Sequence, residues 1–230
     1  MLPYNLDIIE NIIKGELVYK DEKLLNYTIK YPQFVCDNYK VFIYKLNEYY
    51  KIKNDMYQKV HLSELFQMSI ADYENAIAND YPVRPYEVVT EYTVTLNQDC
   101  FISLYFDNYE YTGGAHGMTT RTSDTWSLEG RKRLTLSDLF PDDFDYKKYL
   151  TTDIINQINK EISEGNNVYF DDYAKLVIEN FNVNNFYLTP DGIVIYFQHY
   201  DIAPYSSGIR TFTIPYSENV VMKPSCSVAK

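Results

Sequence analysis

Apolar and polar residues alternate most regularly from Tyr86 to Leu96, where tyrosine, valine, threonine or leucine occupies every second position. Glutamate and threonine fill most of the positions between them. A period of two residues predicts a half-buried antiparallel strand, with one face toward a core and the other toward water. Residues 97–99 predict a turn, and two more strands are predicted at Phe101–Tyr111 and Met118–Leu128. These three strands are the clearest β signal in the chain.

One strand and two helices are predicted before this region. The alternation from Leu24 to Phe34 indicates a strand, which we expect to end at Pro32 because proline has no N–H for the sheet. From Asp37, the expected N-cap, apolar residues recur at helical spacing. Residues 81–85 contain two prolines and stop a second helix. The apolar face of that second helix comprises Leu62, Leu65, Phe66, Tyr73 and Ile77.

The C-terminal half contains three helical signals followed by three strands. The helical segments are a short turn at Leu134–Phe140, a longer helix opened by Pro141 and ended by Gly165, and a helix at Asp171–Asn180. The strands are Phe186–Leu188, Ile193–Gln198 and Ile209–Ile214, and the turn Pro190-Asp191-Gly192 joins the first two. Residues beyond Val221 carry few packing cues, so we expect a mobile tail.

This order of elements predicts an α+β fold. Hairpins with helices inserted between them favour antiparallel sheets with helices packed on one face, rather than a regular βαβ alternation. We expect two lobes that share a core, since 230 residues suffice for a large domain. The predicted N-terminal lobe covers residues 1–83, the C-terminal lobe residues 84–220, and the tail residues 221–230.

The composition and the charge of the chain limit the classes of molecule that it is expected to bind. Hydrophobic residues make up 46% and charged residues 23% of the chain, which is typical of a globular protein. The formal net charge of -11 opposes nonspecific nucleic-acid binding and favours a positively charged protein partner. The one compact basic cluster, Arg131-Lys132-Arg133, follows Gly130 and is interpreted as a turn. No nucleic-acid partner is therefore expected.

No targeting or membrane-spanning segment is predicted. No apolar stretch approaches the roughly 18 residues that a membrane helix needs. The N-terminal residues 1–7 have no basic region ahead of an apolar run, so they do not resemble a signal peptide. The chain is expected to be soluble, and either cytoplasmic or trimmed of a leader.

The three cysteines, Cys36, Cys100 and Cys226, are far apart and show no metal-binding spacing. A structural zinc site is not expected, and no metal or cofactor is predicted. At most one disulfide can form among them, and we expect free thiols.

The segment Tyr111-Thr112-Gly113-Gly114-Ala115-His116-Gly117 is the most conspicuous motif. Its three glycines allow positive φ angles and a close approach of the backbone to another surface. It follows a strand and has neither a P-loop lysine nor dinucleotide-binding spacing, so it is a weak phosphate site. Two interpretations remain: a bulged turn that His116 tethers by a hydrogen bond, or a binding surface.

Candidate catalytic groups are sparse. His61 is expected at the surface of a helix start, and His199 is expected to be a structural histidine with satisfied hydrogen bonds. Ser206-Ser207-Gly208 lacks a nucleophile-elbow pattern. The acidic clusters at residues 142–145 and 171–172 precede helices, where capping explains them. We therefore predict no catalytic residues.

Several segments, taken in order, resemble a known family. They are the glycine motif, Leu134–Phe140, residues 186–192, the segment Tyr200-Asp201-Ile202-Ala203-Pro204-Tyr205, and Ile214-Pro215-Tyr216. The series is similar to the extracytoplasmic region of RsiV-type anti-sigma factors and to the accessory domain of PdaC-type peptidoglycan deacetylases. The likeness covers about Tyr27 to Glu218. The given sequence has neither the membrane helix of the anti-sigma factors nor the catalytic domain of the deacetylases. We therefore expect neither anti-sigma activity nor deacetylase activity.

The resemblance implies an α+β domain that binds extracellular ligands, which in RsiV-type members means lysozyme. We expect a noncatalytic binding or sensor domain whose partner is lysozyme, another basic wall-active protein, or peptidoglycan fragments. The expected binding residues are Tyr111, Gly113, Gly114, His116, Gly117, Tyr200, Pro204 and Tyr205. The alternative function is a small cell-wall-modifying hydrolase that uses His116 with a nearby acid.

Overall fold

The computed structural model describes residues 5–218 and 220–226, and it has the predicted α+β class. Strands one to six form one sheet in chain order, and strands seven to nine form a second sheet. The strands are β1 (Asp7–Tyr19), β2 (Glu22–Val35), β3 (Tyr86–Gln98), β4 (Phe101–Tyr111), β5 (Met118–Ser127), β6 (Lys132–Arg133), β7 (Phe186–Leu188), β8 (Gly192–Phe197) and β9 (Arg210–Pro215). The helices are α1 (Lys40–Met56), α2 (Leu62–Ala78), α3 (Tyr146–Ser163) and α4 (Tyr173–Glu179).

The contacts within the chain define two compact units. The N-terminal unit comprises Leu6–Tyr92 and Phe106–Thr120. The C-terminal unit comprises Asn5, Thr93–Tyr105 and the described residues from Arg121 onward. Strands β3, β4 and β5 each contribute residues to both units.

In the N-terminal unit, the strands β2 and β3 pair in parallel from Leu25↔Tyr86 to Ile29↔Thr90. Parallel neighbours need a long crossover, and here α1, a π-helical turn at Tyr57–His61 and α2 supply it. Buried residues of α2 pack on these strands to form a core of Leu25, Ile29, Leu62, Leu65, Tyr86 and Val88. The second helix therefore exists as predicted, although Ile77 is exposed and Ser69 and Ala76 are buried in its place.

Strand β1 was not predicted from the sequence. It pairs antiparallel with β2 along its whole length, from Asp7↔Val35 to Tyr19↔Glu22. Its sequence places isoleucines in adjacent pairs rather than at alternate positions, and none of its residues is fully buried. A strand at a sheet edge needs no strictly apolar face, so the period-two signal is absent.

The predicted end of β2 at Pro32 was wrong, because the strand continues to Val35. Proline is tolerated here since β3 pairs with β2 only up to Ile29. Beyond Ile29, the side-chain amide of Asn47 makes hydrogen bonds to β2 in place of a neighbouring strand. The Phe34 N–H donates to Asn47 Oδ1 at 2.8 Å, and Asn47 Nδ2 donates to the Phe34 carbonyl at 2.9 Å.

Two predicted helix starts shift by a few residues. The first helix begins at Lys40, and Tyr39 in the left-handed region takes the N-cap position that Asp37 was expected to hold. The helix α3 begins at Tyr146 rather than at Pro141, with the Asp145 carboxylate accepting from the Lys148 N–H at 3.2 Å. An acidic N-cap was thus correctly expected for α3, but later in its cluster.

The C-terminal unit has its own core, in which α3 packs against the sheet of β7, β8 and β9. Leu150, Ile154 and Ile158 of α3 are fully buried with residues of β8 and β9. The predicted hairpin between β7 and β8 is present, with Leu188 paired to Ile193. The basic segment predicted as a turn contains the short strand β6.

The prediction of free thiols was wrong for two of the three cysteines. Cys100 and Cys226 form a disulfide, and Cys36 is the free cysteine of the described chain. The segment before Cys226 is also fixed, since Val221 is buried and the Met222 N–H donates to the Leu139 carbonyl at 3.0 Å. The predicted mobile tail is therefore contradicted up to Cys226, and residues 227–230 lie outside the described residues.

Candidate functional site

The glycine motif forms the loop between β4 and β5 in the N-terminal unit. Gly113 and Gly114 have φ angles of 86° and 93°, which other residues adopt only with strain. The carbonyl of Gly114 accepts from the Tyr111 hydroxyl at 3.2 Å and from Arg84 Nη1 at 3.1 Å. Within the described residues, and apart from the adjacent residues of the loop, no atom lies within 4 Å of the positions where a Cβ would stand at either glycine. The loop is therefore anchored by two side chains and open on its outer side.

The last glycine of the motif has a different role. A Cβ at Gly117 would lie 2.5 Å from the Tyr109 ring and 2.6 Å from the Glu110 carbonyl oxygen. Only glycine fits this contact of the loop with β4. The neighbouring His116 is exposed, and its Nδ1 lies 2.9 Å from the Gly117 carbonyl, which requires Nδ1 to be the donor. This is the hydrogen bond expected of a histidine that tethers a turn.

A pocket lies beside this loop, within the same unit. It has a volume of about 270 Å³ and is bounded by the end of α2, by residues 81–86 and by Gly113. Leu24, Ser69, Ala76 and Tyr86 are its buried residues. Its exposed or half-exposed residues include Asp72, Tyr73, Asn75, Tyr81 and Arg84. An apolar floor with a polar rim is the usual composition of a small-ligand site.

A carboxylate and a phenol meet in this pocket. The Tyr86 hydroxyl donates to Asp72 Oδ2 at 2.5 Å. Burial, together with this bond to a carboxylate, raises the pKa of Tyr86 well above its usual range. Tyr86 therefore remains a protonated donor. Sequence inspection did not identify this pair, since Asp72 is on a helix and Tyr86 is on a strand.

A second polar cluster of the same unit surrounds Glu110. Its Oε1 accepts from the Tyr57 hydroxyl at 2.8 Å and lies 2.7 Å from His61 Nε2. Both partners belong to the π-helical turn, a local irregularity that is frequent at functional positions. Burial and the adjacent Glu110 carboxylate raise the pKa of Tyr57. His61 is thus bonded to an acid, although the sequence indicated only a surface position.

The segment Tyr200–Tyr205 belongs to the C-terminal unit and is described by itself. Tyr200 is 50% exposed and has a φ of 68°. Its ring lies 5.9 Å from that of Tyr205, which in turn stacks on His199 at 4.5 Å. Pro204 takes the N-cap position of the short 3-10 turn Tyr205–Ser207. The predicted residues Tyr200, Pro204 and Tyr205 therefore form one small aromatic surface.

The expectation that His199 has satisfied hydrogen bonds was wrong. Its Nδ1 is buried and has no hydrogen-bond partner within the described part of the chain. The neighbouring Asp201 accepts from the Gln198 N–H at 2.7 Å, and burial raises the pKa of Asp201. Among residues 5–218 and 220–226, no three acidic, histidine or cysteine side chains are grouped to hold a metal ion.

The fold and its loops define a class: an α+β domain with two surface loops that carry tyrosines, and with a small pocket beside the glycine loop. Residues 18–119 match the family model of Deacetylase PdaC. Residues 137–217 match the model of a protein family of unknown function, DUF3298. These two matches support the resemblance to the accessory domain of PdaC-type deacetylases.

The helices of the described residues include none with the length and apolar character of a membrane span.

Individual relatives agree with the family matches. The chain is 23% identical over 199 residues to the peptidoglycan-N-acetylmuramic acid deacetylase PdaC of Bacillus subtilis, covering 86% of this chain but 38% of that enzyme. A DUF3298 family member from Bacteroides fragilis has a similar crystal structure, with a TM-score of 0.73, 23% identity and 96% of each chain covered. A DUF3298 family protein from Pseudomonas aeruginosa gives a TM-score of 0.58 at 17% identity, with 95% of each chain covered. The two structures share the fold.

Proposed function

We propose that this chain is a noncatalytic binding domain of the cell envelope. Its proposed partner is a basic wall-active protein such as lysozyme, with peptidoglycan fragments as the alternative ligand. The observation that carries the proposal is the glycine loop, whose carbonyl at Gly114 is held by Tyr111 and Arg84 while its outer side stays open. A preorganised loop loses little conformational freedom when a partner binds.

Charge supports a basic partner. The chain carries 32 acidic and 21 basic residues, so its field attracts a cationic protein over several ångströms of water. Such attraction raises the association rate and weakens as salt screens it. The sensor role implied by the RsiV resemblance is consistent with this charge.

The disulfide supports a location outside the cytoplasm. Disulfides form and persist in oxidising compartments, while cytoplasmic thiols are kept reduced. The bond between Cys100 and Cys226 joins positions that are 126 residues apart in the sequence. It agrees with the extracytoplasmic precedent of the family that the sequence resembles.

The hydrogen bond of His116 gives this side chain a role in holding the loop, which suits a binding function. Its Nδ1 donates to the Gly117 carbonyl. The alternative of a hydrolase would need the other ring nitrogen, Nε2, as the general base, within reach of a substrate proton. The expected binding residues of the proposal are those of the loop, Tyr111 to Gly117, and of the surface formed by Tyr200, Pro204 and Tyr205.

Isothermal titration calorimetry with lysozyme tests the proposal. We expect binding at low salt that weakens steadily as sodium chloride is added. Tyr111→Ala removes an aromatic anchor and one bond to Gly114, and we expect at least ~10-fold weaker binding. Tyr44→Ala, at a tyrosine that is 66% exposed on α1, is the matched control and is expected to bind normally. Absence of heat with both lysozyme and muropeptides at every salt concentration would contradict the proposal.

A further inference from the structure

Arg84 is an exposed cation on the lining of the pocket. Two arginines of this acidic chain contact carboxylates: Arg133 lies 2.7 Å from Asp124 and Arg210 lies 3.0 Å from Glu161. Arg84 instead donates one N–H to the neutral Gly114 carbonyl and, within the described residues, has no acidic partner. Its remaining guanidinium donors match the planar geometry of a carboxylate. Because Arg84 lines the pocket, these donors provide a site for an anionic group there.

Asp72 offers the complementary chemistry. One of its oxygens, Oδ2, accepts from the buried Tyr86 hydroxyl, which fixes the orientation of the carboxylate. An ionised carboxylate has about four lone-pair positions, so Asp72 retains capacity to accept from a ligand hydroxyl. The pocket thus combines a donor for an anion with an acceptor for a neutral polar group.

The size and the lining of the pocket restrict the ligand further. A volume of about 270 Å³ is slightly below the usual range for drug-sized ligands and suits one ring rather than a chain of several. Tyr73 and Tyr81 line the same pocket, and Tyr81 is 62% exposed. Tyrosine rings offer a flat apolar surface at low entropic cost, which suits the C–H face of a sugar.

We propose that this pocket binds a single sugar ring that bears a carboxylate. Arg84 takes the carboxylate, Asp72 accepts from a ring hydroxyl, and the tyrosines pack on the ring. This inference rests on the proposed binding function and names the chemical class of one ligand. Because Arg84 also holds Gly114, an occupied pocket and the position of the glycine loop are coupled.

A titration monitored by NMR with a matched pair of sugars tests the inference. N-acetylmuramic acid and N-acetylglucosamine share the ring and the acetamido group, but only the first carries a carboxylate, on its lactyl ether. We expect N-acetylmuramic acid to shift the amide signals of Gly113 and its neighbours and to bind at least ~10-fold tighter than N-acetylglucosamine. A tenfold ratio corresponds to about 1.4 kcal/mol, the scale of one charge-assisted hydrogen bond.

Variants separate the two contacts. Arg84→Gln should remove the preference for the acid, and Arg84→Lys should retain part of it because the charge and one donor remain. Asp72→Asn should weaken both sugars by a similar factor. Arg131→Gln, at an exposed arginine of the C-terminal unit, is the control and should leave both affinities unchanged.

Equal affinity for the two sugars, or the absence of amide shifts with either sugar throughout the titration, would overturn the inference. If lysozyme binds and the sugars do not, the pocket assignment fails while the binding function stands. If lysozyme, muropeptides and both sugars all fail to bind, the pocket assignment and the proposed binding function both fail. Thermal unfolding of each variant, measured alongside, confirms that the folded state is being compared.

Discussion

Loss of the Cys100–Cys226 disulfide is expected to lower the free energy of unfolding by about 5 kcal/mol. The bond closes a loop of 126 residues, and opening it restores conformational freedom to the unfolded chain. Cys100 is buried, at 1% exposure, so its cross-link also holds the segment after Val221 against the core. The effect amounts to a large part of the total stability of a domain of this size.

Urea unfolding of the double variant Cys100→Ser, Cys226→Ser measures this effect. Trp126, the single tryptophan, lies in the same unit as the disulfide and reports its unfolding by fluorescence. Cys36→Ser changes a free cysteine and should stay within about 0.5 kcal/mol of the parent. A double variant with the same unfolding midpoint as the parent would refute a stabilising role of the bond.

Gly192→Ala is expected to destabilise the C-terminal unit by about 3 kcal/mol. A Cβ at this position would stand 2.2 Å from the Ile214 carbonyl oxygen and 3.0 Å from the Pro215 Cα. These are backbone atoms of β9, so the clash is relieved only by moving one strand of the sheet away from the other. Gly192 pairs with Pro215 at the end of this ladder, where β8 begins.

Thermal unfolding of Gly192→Ala beside Asp191→Ala distinguishes this clash from a general effect on the turn. Asp191 is exposed, and its described contacts in the turn use the backbone, so its truncation should change stability by less than about 0.5 kcal/mol. Equal unfolding temperatures for both variants would show that the sheet accommodates the extra methyl group.

Predictions from the sequence succeeded where local chemistry determines the structure. The strand β4 has the predicted bounds, and β3 shows the expected alternation, with Tyr86, Val88 and Leu96 buried and Glu87 exposed. The turn before Gly192 and the short helix near Leu136 also form as predicted. In each case the period or the turn residues act within one continuous segment of the chain.

The missed features depend on partners that are distant in the chain. Strand β1 forms because β2 provides it with hydrogen-bonding partners. Pro32 is accommodated because β3 pairs with β2 only up to Ile29, and Asn47 of α1 bonds to the free edge at Phe34. The disulfide joins positions whose separation of 126 residues carries no sequence signal. No periodicity within one segment contains such information.

In the candidate site, too, features set by the local sequence were predicted and features that depend on distant residues were missed. The glycine loop was found because three glycines lie within five residues, and its geometry at Gly113, Gly114 and Gly117 requires them. The pocket beside it was missed because Asp72 and Arg84 belong to different segments, each unremarkable alone. Only the tertiary structure brings them to one rim.

The central claim is that the glycine loop is a binding surface, and an NMR titration of the ¹⁵N-labelled chain with lysozyme tests it most directly. The structure predicts that the largest amide shifts occur between Tyr111 and Gly117, with smaller changes at Arg84, which donates to Gly114. Saturable shifts confined to other residues, or no shifts at low salt, would contradict the claim.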